Sequence, residues 1–210
     1  EVGLFLGDGS DTAIIRGEGG RITIRVIGEG GSDLLVDSAR TGKNRFYDDP
    51  SGPASTAGFA EPVDRKPFVL PPSPNPKALP PRDWGHRWRT NIWASGGPDV
   101  GVFLGGGQTY TTYGFRKLPF ASRHVFRVGF ATGPQAFRGE YHGEWQVENS
   151  GTRAELRLRG SGIEVIRFHG FGNEVLAPDD DEFYRVTQQQ YSVSPGLSFQ
   201  LAPRLRFSLG

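Results

Sequence analysis

Tyr141–Arg159 reads YHGEWQVENSGTRAELRLR, and the rest of the chain is read outward from it. Two short runs flank Asn149-Ser150-Gly151, a turn-forming triplet. In the first run Tyr141, Gly143, Trp145 and Val147 share one side, and His142, Glu144, Gln146 and Glu148 the other. In the second, Ala154, Leu156 and Leu158 oppose Arg153, Glu155, Arg157 and Arg159. Side chains alternate across a β-strand, so the stretch predicts a hairpin with one apolar face and one face carrying both signs of charge. That alternation is the dyad pattern of a transmembrane β-barrel, apolar toward lipid and ionic toward a wet lumen. A soluble antiparallel sheet with one solvated face produces a similar alternation, and the hairpin by itself leaves both open.

Composition supports an all-β protein. The chain has 210 residues with 31 Gly and 16 Pro, and no long helical period. Its formal net charge of +1 offers no electrostatic case for nucleic acid. Cysteine is absent, which excludes disulfides, thiolate nucleophiles and zinc–thiolate sites. No apolar run approaches the ~18 residues of a membrane helix, and a barrel stave does not need one.

Residues 1–47 have a different texture. Gly/acid turns followed by short β-rich runs recur from Gly7, Gly17 and Gly28: GDGSDTAIIR, GEGGRITIRVI and GEGGSDLLVDS. Such units predict a small β-solenoid or meander, the end of an upstream module. They are similar to the nonapeptide calcium repeat, with Asp11 and Asp33 at its carboxylate position. The middle unit has Ile22 there, so a regular calcium ladder is not available. Asp8, Asp11 and Asp33 are read as turn-forming side chains, with calcium at Asp11 and Asp33 left open.

Residues 48–83 hold ten of the prolines and are read as a Pro-rich linker, with LPPSPNPKALPP (Leu70–Pro81) an extended connector. From Trp84 to the end the sequence predicts successive antiparallel strands. Turns are expected at Gly96–Asp99, Ala121–Arg123, Gly133-Pro134, Asn149–Gly151 and Ser161-Gly162, and an exposed loop over 171–182. Trp84, Trp93, Tyr113, Tyr141, Tyr184 and Tyr191 recur near strand ends, where an interfacial girdle places aromatic rings. The first residue is Glu1 and the closing RLRFSLG still alternates, so the chain is read as a fragment of a longer protein that has lost its signal peptide.

The segments from Asp99 (DVGVFLGGGQTYTTYGFRKLPFASRHVFRVGFATG), Phe137 (FRGEYHGEW), Ser161 (SGIEVIRFHGFGNE) and Phe183 (FYRVTQQQYSVSPGL) resemble the first half of the barrel in bacterial BamA/TamA-like outer-membrane proteins, the surface-antigen superfamily. The resemblance spans residues 84–210. It implies part of a transmembrane antiparallel β-barrel, about half of a sixteen-strand wall. It further implies insertion or translocation of proteins or lipids at the outer membrane, without covalent chemistry. The partners so implied are outer-membrane lipid and unfolded outer-membrane or secreted clients, with residues 1–47 periplasmic. The family's lumen motif, an Arg-Gly-aromatic triplet, belongs to the second half of its barrel and is not present here. The alternative is a soluble all-β protein binding a carbohydrate or another ligand.

No enzyme is expected, and no catalytic, cofactor-binding or metal residue is assigned. His86, His124, His142 and His169 form no HxH or HExxH pair, and there is no GxSxG or phosphate loop. Glu140, His142, Glu144 and Arg157 are expected to face one lumen and hold each other in place.

Overall fold

A computed structural model describes residues 1–18, 20–39, 42–50, 52–69, 81–167, 185–202 and 205–210. The chain divides into two compact units, Glu1–Pro74 and Asn75–Gly210. The linker call over 70–80, the loop over 171–182, and Tyr184 and His169 lie outside the described residues.

The first unit is a two-sheet solenoid. Strands β1 (Val2–Gly7), β3 (Ile24–Gly28) and β5 (Arg45–Tyr47) form one parallel sheet. Strands β2 (Thr12–Ile15), β4 (Leu34–Asp37) and β6 (Ser55–Gly58) form the other. Successive strands therefore alternate between sheets, and one coil takes two of the Gly/acid units. Asp11 and Asp33, 22 residues apart, stack in adjacent coils. Alternation turns Val26 and Phe46 inward from one sheet and Ala13 and Leu35 from the other. With Ala54 these residues form the buried core.

The linker reading over 48–83 is corrected in its first part. Residues 48–50 and 52–54 belong to the third turn at this corner, and Ser55–Gly58 is β6, hydrogen-bonded into its sheet. A further bridge joins Tyr47 to Asp64. Pro50 and Pro53 mark a tight turn here, and the run STAG has no alternating apolar residues to announce a strand.

The second unit is a seven-stranded antiparallel meander, each strand paired with its neighbours in sequence. The strands are β7 (His86–Gly97), β8 (Gly101–Gly114), β9 (Lys117–Ala131), β10 (Ala136–Gln146), β11 (Arg153–Arg167), β12 (Arg185–Ala202) and β13 (Leu205–Leu209). The sheet is open, with β7 and β13 as its edges. The β10–β11 hairpin has the expected register: Tyr141 opposes Leu158, His142 opposes Arg157 and Trp145 opposes Ala154. Asn149 turns the chain in the left-handed region, with φ 45°.

Three expected breaks are not turns. Ala121–Arg123 lies inside β9, and the turn comes earlier, at Phe115-Arg116. Ser161-Gly162 lies within β11, where the register with β12 shifts between Ser161 and Glu164, so it is a bulge. Ser194-Pro195, a further break between the strands expected over 183–193 and 196–201, lies within the single strand β12. Pro195 fits because the pairing with β13 ends at Leu197–Leu209, leaving β12 with only β11 beside it at that level.

Candidate functional site

The two faces of the meander are chemically opposite, and the register fixes which residues share each face. On one face a row of direct neighbours runs from Ile92 through Gly106, Val128, Gly139 and Gly160 to Tyr191. Trp88, Leu104, Phe126, Phe137, Leu158, Val193 and Phe207 lie on the same side. These side chains are exposed: Ile92 is 86% exposed, Tyr191 80% and Trp88 56%. Among the described residues of this unit, all seven strands belong to the one sheet, and no second layer covers the face.

The three glycines of that row leave a shallow furrow. It is bounded by Trp88, Phe126, Tyr141, Leu158 and Tyr191 and encloses about 960 Å³. None of Gly106, Gly139 and Gly160 has a positive φ. A side-chain carbon would meet nothing closer than 3.9 Å at Gly106 or 3.5 Å at Gly160, and nothing within 4 Å at Gly139. Their lack of side chains is therefore not forced by local crowding.

Toward the rim that carries the Phe115-Arg116 and 147–152 turns, the apolar face ends in an aromatic row. Trp88 and Tyr110 rings are 4.4 Å apart, Tyr110 and His124 6.3 Å, and His124 and Trp145 5.4 Å. Phe126 and Tyr141 are 4.9 Å apart. The polar tips in this row satisfy each other. His124 Nδ1 lies 2.9 Å from the Tyr141 hydroxyl, and its Nε2 lies 3.1 Å from Ser122 Oγ. Ser122 Oγ in turn lies 2.7 Å from Thr112 Oγ1. Sequence reading missed this group because it placed Ser122 in a turn. The spacing Ser122-x-His124, in phase with Phe126 and Val128, was the available signal.

The opposite face is ionic. Glu144, 7% exposed, lies between Arg153 Nη1 at 3.0 Å and Arg123 Nη1 at 3.7 Å. Glu140 pairs with Arg138 at 2.6 Å, and Glu155 pairs with Arg157 at 3.1 Å and with His142 at 3.6 Å. Arg159 contacts Glu164. The residues expected to face one lumen thus share a face, and each carboxylate is neutralised by its neighbours. Chemically this is a network of paired charges braced across β9, β10 and β11.

Across β7 to β9 the same face changes character. Arg87, Arg89 and Arg127 make no ion pair among the described residues. With Thr109, Thr111, Trp93 and Phe103 they line a depression of about 860 Å³. Trp93 lies directly across from Gly105, whose missing side chain gives the indole its room. This cationic quarter was not foreseen, because the arginines are distributed over separate strands and only the register gathers them.

Among the described residues no group of three or more His, Asp or Glu side chains is arranged to hold a metal ion. Asp11 and Asp33 meet through the Asp11 backbone N–H, which donates to Asp33 Oδ1 at 2.9 Å. No helix is long and apolar enough to cross a membrane, which has no bearing on a strand-built wall. In comparisons with protein-family models, curated proteins and solved structures, nothing matches the chain.

Proposed function

We propose that residues 84–210 are part of the wall of an outer-membrane β-barrel of the BamA/TamA-like type, serving insertion or translocation of proteins or lipids in the bacterial outer membrane. In this reading the apolar face meets lipid and the ionic face lines the aqueous lumen. The residues before it are periplasmic. The carrying observation is the uncovered apolar face, with Ile92, Val128, Tyr191 and Val193 all more than half exposed. Each large apolar side chain left in water forgoes about 1.5–3 kcal/mol of burial, so so wide a face needs an apolar medium.

Three further features support the reading. Strands β7 to β12 have 11 to 18 residues, enough for the ~9–11 that a tilted stave needs to cross. The row from Trp88 to Trp145 has the place and composition of an interfacial aromatic girdle. The ionic face is braced by paired charges, as a wet lumen allows. The work of such a wall is mechanical: it separates, admits and releases a client, with no bond made or broken.

The soluble alternative requires the same face to be covered in water, and the absence of cysteine makes the comparison direct. Single cysteines at Ile92, Val128 and Tyr191 are compared with cysteines at Thr109, Arg127 and Ser194 in vesicles carrying the folded chain. The wall reading expects the first set to resist a charged maleimide and to bring an attached fluorophore within reach of brominated acyl chains. The second set reacts and is not quenched. Equal labelling of the two sets, or quenching of neither, rejects the membrane assignment.

A further inference from the structure

We propose that Asp33 and Asp48 form a buried cation site that ties the second coil of the solenoid to the third, taking a hard divalent ion of calcium's size. Asp33 closes the 29–33 turn before β4, and Asp48 opens the 48–54 turn after β5. Both are almost fully buried, at 2% and 4% exposure. Each keeps one carboxylate oxygen, Asp33 Oδ2 and Asp48 Oδ1, with no hydrogen-bond partner among the described residues.

Those two oxygens converge. A side-chain carbon placed on Gly28 would overlap Asp33 Oδ2 and lie 3.0 Å from Asp48 Oδ1. Gly28 pairs with Gly7 at the end of β3, directly above the start of the third turn, and contributes no side chain to the space. The remaining carboxylate oxygens are already engaged. Asp33 Oδ1 accepts the Asp11 N–H at 2.9 Å, and Asp48 Oδ2 lies 3.4 Å from Arg65 Nη1. Arg65 also donates to the backbone carbonyls of Gly52 and Ala54, so its guanidinium is held on the far side of Asp48.

Among the described residues the facing oxygens have no cation between them, and the one guanidinium in contact with the pair is that of Arg65 on Asp48. Asp33 has no cationic partner among the ion pairs of the described residues, and an uncompensated buried carboxylate is costly. Calcium takes oxygen ligands at about 2.3–2.6 Å, so two oxygens up to about 5 Å apart can share one ion. Both oxygens lie within 3.0 Å of one point above Gly28, which keeps them no more than about 5 Å apart. The bond is between coils, so binding adds to the solenoid's cohesion and does not depend on how residues 84–210 function. A site with few charged ligands belongs with weak extracellular modules, with a Kd on the order of 10⁻⁴–10⁻³ M.

The test uses the full chain, refolded in detergent and stripped with a chelator at neutral pH. Calcium is titrated by calorimetry, and cleavage within residues 1–69 is followed by limited proteolysis. One ion per chain is expected. At calcium tenfold above its Kd, cleavage should slow about tenfold, because binding depletes the open state by mass action. Asp33→Asn and Asp48→Asn remove a charge without removing volume and should abolish both the heat and the protection. Gly28→Ala should do the same by filling the space, and the exposed Asp8→Asn should leave both intact. The proposal is overturned if calcium binding and protection persist in Asp33→Asn and Asp48→Asn. It is equally overturned if calcium gives neither binding heat nor protection in the unsubstituted chain.

Discussion

Val128 and Thr109 sit on opposite faces of adjacent strands, and a charge at each separates the two environments. In a bilayer Val128→Arg should cost about 2–4 kcal/mol of folding free energy if that position lies near the midplane, whereas Thr109→Arg should cost little. Urea-driven unfolding from vesicles measures both; equal costs would mean that the faces do not see different media. In the solenoid, Gly31 is held at φ 89°, and a side-chain carbon there would overlap the Gly9 carbonyl oxygen of the preceding coil. Gly31→Ala must separate those coils, so it should destabilise the first unit by more than about 2 kcal/mol. Protease susceptibility of residues 1–69 would register the loss, with the strands of the meander unaffected.

At the level of elements, what the sequence reveals depends on who a residue's neighbour is. The β10–β11 hairpin is legible because its alternation is unbroken and Asn149-Ser150-Gly151 can only be a turn. Asn149, at φ 45°, is tolerated where most residues are not. Asn149→Val should therefore cost about 1–2 kcal/mol and Asn149→Gly should be neutral or mildly stabilising, as read from unfolding midpoints. Ser161-Gly162 and Ala121–Arg123 have the same turn-like composition yet lie within strands. There the deciding contacts are remote: the carbon missing from Gly162 leaves 3.2 Å to Ala136, and Ser122 reaches Thr112 across the ladder. A local reading has no access to either. The solenoid repeats were visible as glycines and acids, but a period of one strand does not say which sheet the next strand joins. That is set by the inward packing of Val26 against Leu35 and Phe46. The site residues divide the same way: Glu140, His142, Glu144 and Arg157 were legible from one hairpin, while Asp48 and the arginines of β7 and β9 needed the register.

On the scale of the molecule, one chain joins two kinds of β-structure: a parallel solenoid with a buried apolar core and an antiparallel sheet that, among the described residues, has no second layer on its apolar face. Among the described residues the outer edges of β7 and β13 have no strand partner, and the apolar face is uncovered. In water both features favour self-association. Sedimentation should find large assemblies in buffer and a monodisperse species in detergent. A monomer in buffer alone would contradict the membrane reading of the whole second unit.

The row Ile92–Gly106–Val128–Gly139–Gly160–Tyr191 has a mechanical consequence. Three of its six members are glycines that neither a tight fit nor backbone geometry demands. Glycine is the residue at which a strand bends at least cost, and curved sheets concentrate their flexure at such points. Gly139 and Gly160 are direct neighbours on β10 and β11, and Gly106 follows one strand further on, beyond Val128 of β9. In the proposed barrel wall, this is where bending under load is expected to begin.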